Sequence, residues 1–147
     1  MKDLTENVLS LTRLKNADYA DLRVVRRRWE EILVKNGNIE AVTHDEDFGF
    51  GVRVLFQGAW GFACSSKVNK KEVERTFDRA WKISREGSRI QGKRPFFPPA
   101  SPVVARYQTP FSIHPLQVSM EEKLKYLLEA ERTIARNRRV NISEAFM

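Results

Sequence analysis

The sequence predicts an α+β fold: an antiparallel β-meander of about four strands covered by amphipathic helices, then a proline-rich connector and a further helix. Three observations carry this. Asn36-Gly37 and Gln57-Gly58 are turn pairs set between runs of alternating apolar and polar residues. Apolar residues recur at helical spacing on both sides of those runs, at Leu4, Val8, Leu11 and Leu14 and again from Val73 to Ser84. All 6 prolines fall between Pro95 and Pro115, where neither period holds.

In chain order, a first helix is expected from about residue 3 to 16, with Asp3 as N-cap and Glu6 three residues on. From Tyr19 the chain alternates, Ala20, Leu22 and Val24 against Asp21, Arg23 and Val25. This predicts one long strand, or two joined by a bend, running into the first turn. The cluster Arg26-Arg27-Arg28 reads as a solvated or edge segment whose charges discourage unwanted pairing, with phosphate binding as the alternative. A two-residue turn at Asn36-Gly37 sets Val34 opposite Ile39 and Ile32 opposite Ala41, giving the ribbon an apolar face. The stretch from His44 to Gly51 reads as a polar connection, with Gly49 and Gly51 permitting a bulge or close backbone approach. Beyond it, Gln57-Gly58 pairs Val54 with Gly61, Leu55 with Trp60 and Arg53 with Phe62.

The period then changes to 3.6. Val73, Phe77, Ala80, Trp81 and Ser84 form the stripe expected to pack on the sheet, with Asn69 as N-cap and Gly87 as C′ glycine. Lys70, Lys71, Arg75, Arg79, Lys82 and Arg85 lie around the rest of this helix, diluted by Glu74 and Asp78. That composition points to a solvated face rather than a nucleic-acid surface. In the connector, Phe96, Phe97, Val103, Val104, Tyr107, Phe111 and Ile113 are expected to anchor the chain against a surface. Ser119 with Glu122 starts a third helix whose apolar face is Leu124, Leu127, Leu128, Ile134 and Ala135. Val140, Ile142, Ala145 and Phe146 then begin a strand, expected to stay disordered or to associate with another polypeptide. The divisions that follow are 1–90, an α+β domain; 91–118, the connector; and 119–147, a helix and the start of a strand leading to a C-terminal half absent from this sequence.

Composition narrows the function classes. A hydrophobic share of 41% with 9 Phe and 3 Trp suffices for a packed core. The net charge of +7 allows nucleic acid or an acidic surface as partner, but charge speaks to non-specific attraction before it speaks to function. The single cysteine, Cys64, excludes an internal disulfide and suits a reducing, cytoplasmic setting. No stretch approaches a membrane span. His44 beside Asp45, Glu46 and Asp47 raises the question of a metal, but consecutive side chains of an extended segment point to opposite sides. His44, His114 and a buried Cys64 make no ligand set of the three or four that zinc needs, and no orienting third residue supports a Cys/His nucleophile. No catalytic or metal-binding residue is assigned, and no substrate-binding residue can be chosen.

The segments ADYADLRVVRRRWEEILVKNGNIEAV and DFGFGVRVLFQGAWGFACSS, the helix Asn69–Glu86, and ARYQTPFSIHPLQVSMEEKLKYLLEAE together resemble the N-terminal region of the TldD/PmbA family. That family also carries the label modulator of DNA gyrase. The resemblance implies a zinc-dependent peptidase acting on unfolded peptides, as a homodimer or a pair of related subunits. It implies metal ligands from an HExxxH helix and a later cysteine in the C-terminal half. Neither motif occurs here, so zinc is implied for the full-length family but no cofactor for this chain. The expected role is a non-catalytic domain that shapes the peptide channel and the subunit interface. A nucleic-acid or gyrase-associated regulator and a stand-alone interaction protein are the alternatives.

Overall fold

The computed structural model describes residues 2–90, 101 and 103–147. Its elements are α1 (Lys2–Leu14), β1 (Tyr19–Lys35), β2 (Asn38–Phe56), β3 (Ala59–Ser65), α2 (Lys70–Gly87), a 3-10 turn (Pro115–Gln117), α3 (Met120–Ala135) and β4 (Glu144–Phe146). The strands form one antiparallel sheet in the order β3-β2-β1-β4. The chain divides into two compact units, Met1–Arg26 with Asp47–Pro102, and Arg27–Glu46 with Val103–Met147.

Both hairpin turns form as their residues dictate. Asn36 and Gly37 have φ of 48° and 78°, and Gln57 and Gly58 have 46° and 91°, the double positive φ of a type I′ turn. The second hairpin has the expected register, with Val54 opposite Gly61, Leu55 opposite Trp60 and Arg53 opposite Phe62. A Cβ at Gly37 would meet nothing closer than Glu131 Oε2 at 3.8 Å, so its backbone conformation alone penalises a side chain. Gly37→Val is therefore expected to cost about 1–2 kcal/mol. A thermal melt that coincides with the parent's would contradict it.

The stretch from His44 to Gly51 is not a connection. It lies within β2, so the two hairpins share one continuous strand of 19 residues. Acidic residues fit there because the strand is exposed on both faces through Asp47, with no core to exclude them. Gly49 and Gly51 serve close approach: a Cβ at Gly49 would sit 2.9 Å from the Ser65 carbonyl oxygen, and one at Gly51 would sit 2.8 Å from the Phe62 ring.

The first unit is a helix-on-sheet layer. Phe50, Val52 and Val54 of β2 point to the helices and are buried with Val8 of α1 and Val73, Phe77 and Ala80 of α2. Ala20, Leu22 and Val24 of β1 pack against the same cluster, the face their alternation assigns. Each fully buried side chain of this size contributes roughly 1.5–3 kcal/mol. Asn69 caps α2, its side chain accepting from the Glu72 amide at 3.0 Å. Two expected caps differ. α1 starts at Lys2, which puts Asp3 in its first turn, where a negative charge still suits the helix dipole. α2 runs through Gly87 and is capped by Ser88, whose N–H bonds the Ser84 carbonyl at 2.9 Å. Gly87 instead gives clearance, since a Cβ there would lie 3.2 Å from that of Ala59.

In the second unit α3 covers Ile32 and Val34 of β1 with Leu127, while Met120, Leu124, Leu128 and Ala145 pack around them. The Ser119 cap forms, accepting from the Glu122 amide at 3.2 Å. The buried face is rotated from the expected one: Lys123, Leu127 and Glu131 are buried and Ile134 is exposed. The tail also departs from expectation. β4 pairs with β1, Leu33 opposite Phe146 and Lys35 opposite Glu144, so it is ordered on the chain's own sheet. Asn36 directs this return, donating its N–H to the Ser143 carbonyl and accepting the Ser143 N–H on Oδ1, both at 3.0 Å. The connector anchors Val103, Val104, Tyr107, Phe111 and Ile113 are exposed rather than docked. Phe96 and Phe97, with Pro95, Pro98, Pro99 and Pro102, lie outside the described residues.

Candidate functional site

The two units present different chemistry. In the first, the sheet face turned away from the helices carries Tyr19, Trp60 and Phe62, all exposed. Tyr19 and Trp60 meet edge to face with ring centroids 5.9 Å apart. Arg53, from the neighbouring strand, stacks its guanidinium 5.4 Å from the Trp60 ring centre. Asp21 holds that guanidinium at 2.6 and 2.8 Å, so the cation is fixed over the aromatic ring and largely neutralised. Aromatic bodies with one locked cation favour apolar and polar peptide contacts over a polyanion. The alternation of Trp60 and Phe62 was visible in sequence; that the face lacks a cover was not.

In the second unit a charged cluster forms on β1, β2 and α3. Lys123, nearly buried, donates to Glu30, and His44 Nδ1 lies 3.3 Å from the other Glu30 oxygen. The Lys123 hydrogen bond holds the Glu30 carboxyl below the usual carboxylate range, with His44 adding to this and burial opposing it. Because the folded value is lowered, the stabilisation is present above the ordinary carboxylate pKa of about 4.3 and fades as pH falls through the folded value. Glu30→Gln should therefore lower the melting temperature at pH 7, and the gap should close as pH approaches about 3. A gap that stays constant from pH 7 to 3 would show that the charge of Glu30 contributes nothing. Lys35 has the opposite sign: its hydrogen bond to Glu144, 2.5 Å away, raises it. Its contribution is present below the ordinary lysine value and lost as pH rises through the raised one. Glu131, 1% exposed, accepts from the Ser143 hydroxyl. These buried polar residues of α3 escaped sequence reading because Lys and Glu ordinarily mark a solvated face.

His44, Cys64 and His114 are not brought together. His44 faces Glu30. Cys64 is exposed, not buried, and sits opposite Gly51. His114 caps the 3-10 turn, its Nδ1 accepting from the Leu116 amide at 3.2 Å while its ring meets Phe111 edge-on. Among the described residues no three His, Cys, Asp or Glu side chains gather as a metal site. The donor set here does not fit a zinc ion.

Against this geometry the comparisons are specific. Residues 20–84 match the family described as PmbA/TldA metallopeptidase domain 1. Metalloprotease MJ0996 of Methanocaldococcus jannaschii is 26% identical over 133 residues, which is 90% of this chain and 30% of that protein. A metalloprotease of Methanothermobacter thermautotrophicus is 38% identical over 53 residues, 36% of this chain and 12% of that one. A Thermotoga maritima protein described as a modulator of a DNA gyrase superposes with a TM-score of 0.67 at 16% identity, over 99% of this chain and 34% of its own. TldE of Thermococcus kodakarensis superposes at 0.59 and 17% identity, over 89% of this chain and 30% of that one. The fold is therefore that of the N-terminal part of these solved structures. Over residues 20–84 the chain is similar to the first domain of the TldD/PmbA family. It spans less than a third of the length of the curated relatives it matches.

Proposed function

We propose that this chain is a non-catalytic domain of a TldD/PmbA-like metallopeptidase that shapes the peptide channel and the interface with a second subunit. The observation that carries the reading is the uncovered aromatic face of Tyr19, Trp60 and Phe62 on a first domain without a metal ligand set. An exposed patch of this kind marks an interaction surface. The partner is a second copy or a related TldD/PmbA-type subunit, and the peptide is unfolded. One relative, of Saccharolobus solfataricus, is named a zinc metalloprotease TldD homolog, and in our reading zinc is held by the part of such a protein that this chain does not cover. None of the described helices is long and apolar enough to cross a membrane.

The test is sedimentation of the chain with the polypeptide corresponding to the remaining two thirds of a relative. Association is expected, weakened at least tenfold by Trp60→Asp with Phe62→Asp. Unchanged association in that double variant would remove the aromatic face from the interface. Tight DNA binding that discriminates between sequences at physiological salt would favour the regulator reading instead.

A further inference from the structure

We propose that Asn36-Gly37 is a deamidation site held latent by the segment docked at Ser143, and that its reaction releases that segment for good. The sequence supplies the reactants. Gly37 has no Cβ to shield its main-chain nitrogen, and among the described residues no group accepts that N–H. Both residues are exposed, so water has access. In the reaction the Gly37 nitrogen gives its proton to hydroxide and attacks Cγ of Asn36. Nδ2 takes a proton from water and leaves as ammonia, closing a five-membered succinimide. Water then opens the ring at either carbonyl. The products are aspartate and isoaspartate, the latter with the main chain running through Cβ and Cγ.

The structure polarises both reacting groups. Asn38 Nδ2 donates to the Asn36 carbonyl at 3.2 Å, drawing charge from the peptide whose nitrogen must attack. The Ser143 N–H donates to Asn36 Oδ1 at 3.0 Å, drawing charge from Cγ. Torsion withholds the reaction. Asn36 has φ of 48°, in the left-handed region, where ψ is about +47°. There the Gly37 nitrogen stands nearly opposite Cβ across the Cα–C bond, and the ring closes only when the two are eclipsed. The turn must open first. Two Asn36–Ser143 bonds, the Lys35–Glu144 ion pair and the pairing of Leu33 with Phe146 hold it shut. The lock outweighs the polarisation, because Ser143 has already let go by the time the ring can close.

Neither product restores the lock. Isoaspartate lengthens the main chain by one carbon, so a two-residue type I′ turn no longer fits between β1 and β2. Aspartate keeps an acceptor for Ser143 but adds a negative charge to the turn. Glu131 Oε2 lies there, 3.8 Å from where a Cβ on Gly37 would sit. Glu131 is buried, so salt screens that repulsion little. Each opening of the turn thus risks a step that cannot be reversed, and Asn36 records how often the Ser143 segment lets go.

The intact chain is aged in warm, mildly alkaline buffer, and conversion at Asn36 is followed by peptide mass spectrometry. A synthetic peptide spanning residues 31–41 gives the unrestrained rate. Conversion is expected to be roughly tenfold or more slower in the chain than in that peptide. Ser143→Pro, which lacks the N–H for Oδ1, should speed it roughly fivefold or more. Glu144→Lys, which sets like charge against Lys35, should also speed it while leaving the Ser143 N–H in place. Phe77→Ala, which weakens the other unit, should leave the rate within about twofold. Converted chain, separated by its added charge, should exchange its Ser143 and Met147 amide protons fast, where the parent protects both. Four results would each overturn the proposal: equal rates in chain and peptide, no acceleration by either Ser143→Pro or Glu144→Lys, acceleration by Phe77→Ala equal to theirs, or protected Ser143 and Met147 amides in the converted chain.

Discussion

Gly61→Ala is expected to destabilise the chain by about 3 kcal/mol or more, a far larger cost than one methyl group ordinarily carries. A Cβ at Gly61 would lie 1.8 Å from the Ala80 carbonyl oxygen and 2.7 Å from the Ser84 nitrogen. Both are backbone atoms of α2, so no rotamer change can relieve the clash. The helix must lift from the sheet, exposing Val73, Phe77 and Ala80 as it goes. At this chain length the loss corresponds to a fall of roughly 10 °C in melting temperature. A variant that melts within 2 °C of the parent would show that α2 does not seat on Gly61. Gly51→Ala is the control. Its clash is with the Phe62 ring, a side chain at an exposed face that can turn aside.

Phe77→Ala is the second large effect, expected at about 3–5 kcal/mol. Phe77 is fully buried in the cluster formed by Val8, Phe50, Val52, Val54, Val73 and Ala80. Removing the ring loses its transfer free energy and leaves a void between helix and strand that the sheet cannot close, because β2 is held by pairing on both sides. Urea denaturation reads the change directly. A midpoint shift with an unchanged slope supports a cavity, and a loss below 1 kcal/mol would contradict the burial of this ring.

Much of this was legible in sequence where local rules and tertiary demands agree. The pairs Asn36-Gly37 and Gln57-Gly58 demand positive φ and obtain it, and the caps Asn69 and Ser119 need only the next turn of helix. What escaped depends on atoms distant in sequence. Gly61 was readable as the partner of Val54, but not as the seat of α2, because no pattern within a strand records what lies above it. Gly87 looked like a stop signal, yet its missing side chain serves contact with Ala59 while Ser88 ends the helix. Lys123 and Glu131 fall outside the apolar face that spacing assigns to the third helix, and only their partners Glu30 and Ser143 reveal them as buried. The tail read as unpaired because its anchor is a turn residue more than a hundred positions earlier, Asn36 holding Ser143. The connector erred the other way: apolar content suggested docking, whereas Val103, Val104 and Tyr107 stay exposed. As for the site, the chemistry of Cys64, His44 and His114 could be weighed from spacing. The aromatic face could not, since Trp60 and Phe62 look the same in sequence whether covered or bare.

The central proposal, that this chain is a non-catalytic domain of a TldD/PmbA-like metallopeptidase, meets its most direct test in one measurement. The purified chain, incubated with excess zinc and then desalted, is analysed for metal and assayed on a mixture of unfolded peptides. The account predicts no stoichiometric zinc and no cleavage, because His44 engages Glu30, His114 caps a turn and the exposed Cys64 joins no cluster of metal-ligating side chains among the described residues. One tightly held zinc per chain, with peptide cleavage that disappears in His44→Ala, Cys64→Ala or His114→Ala, would contradict it.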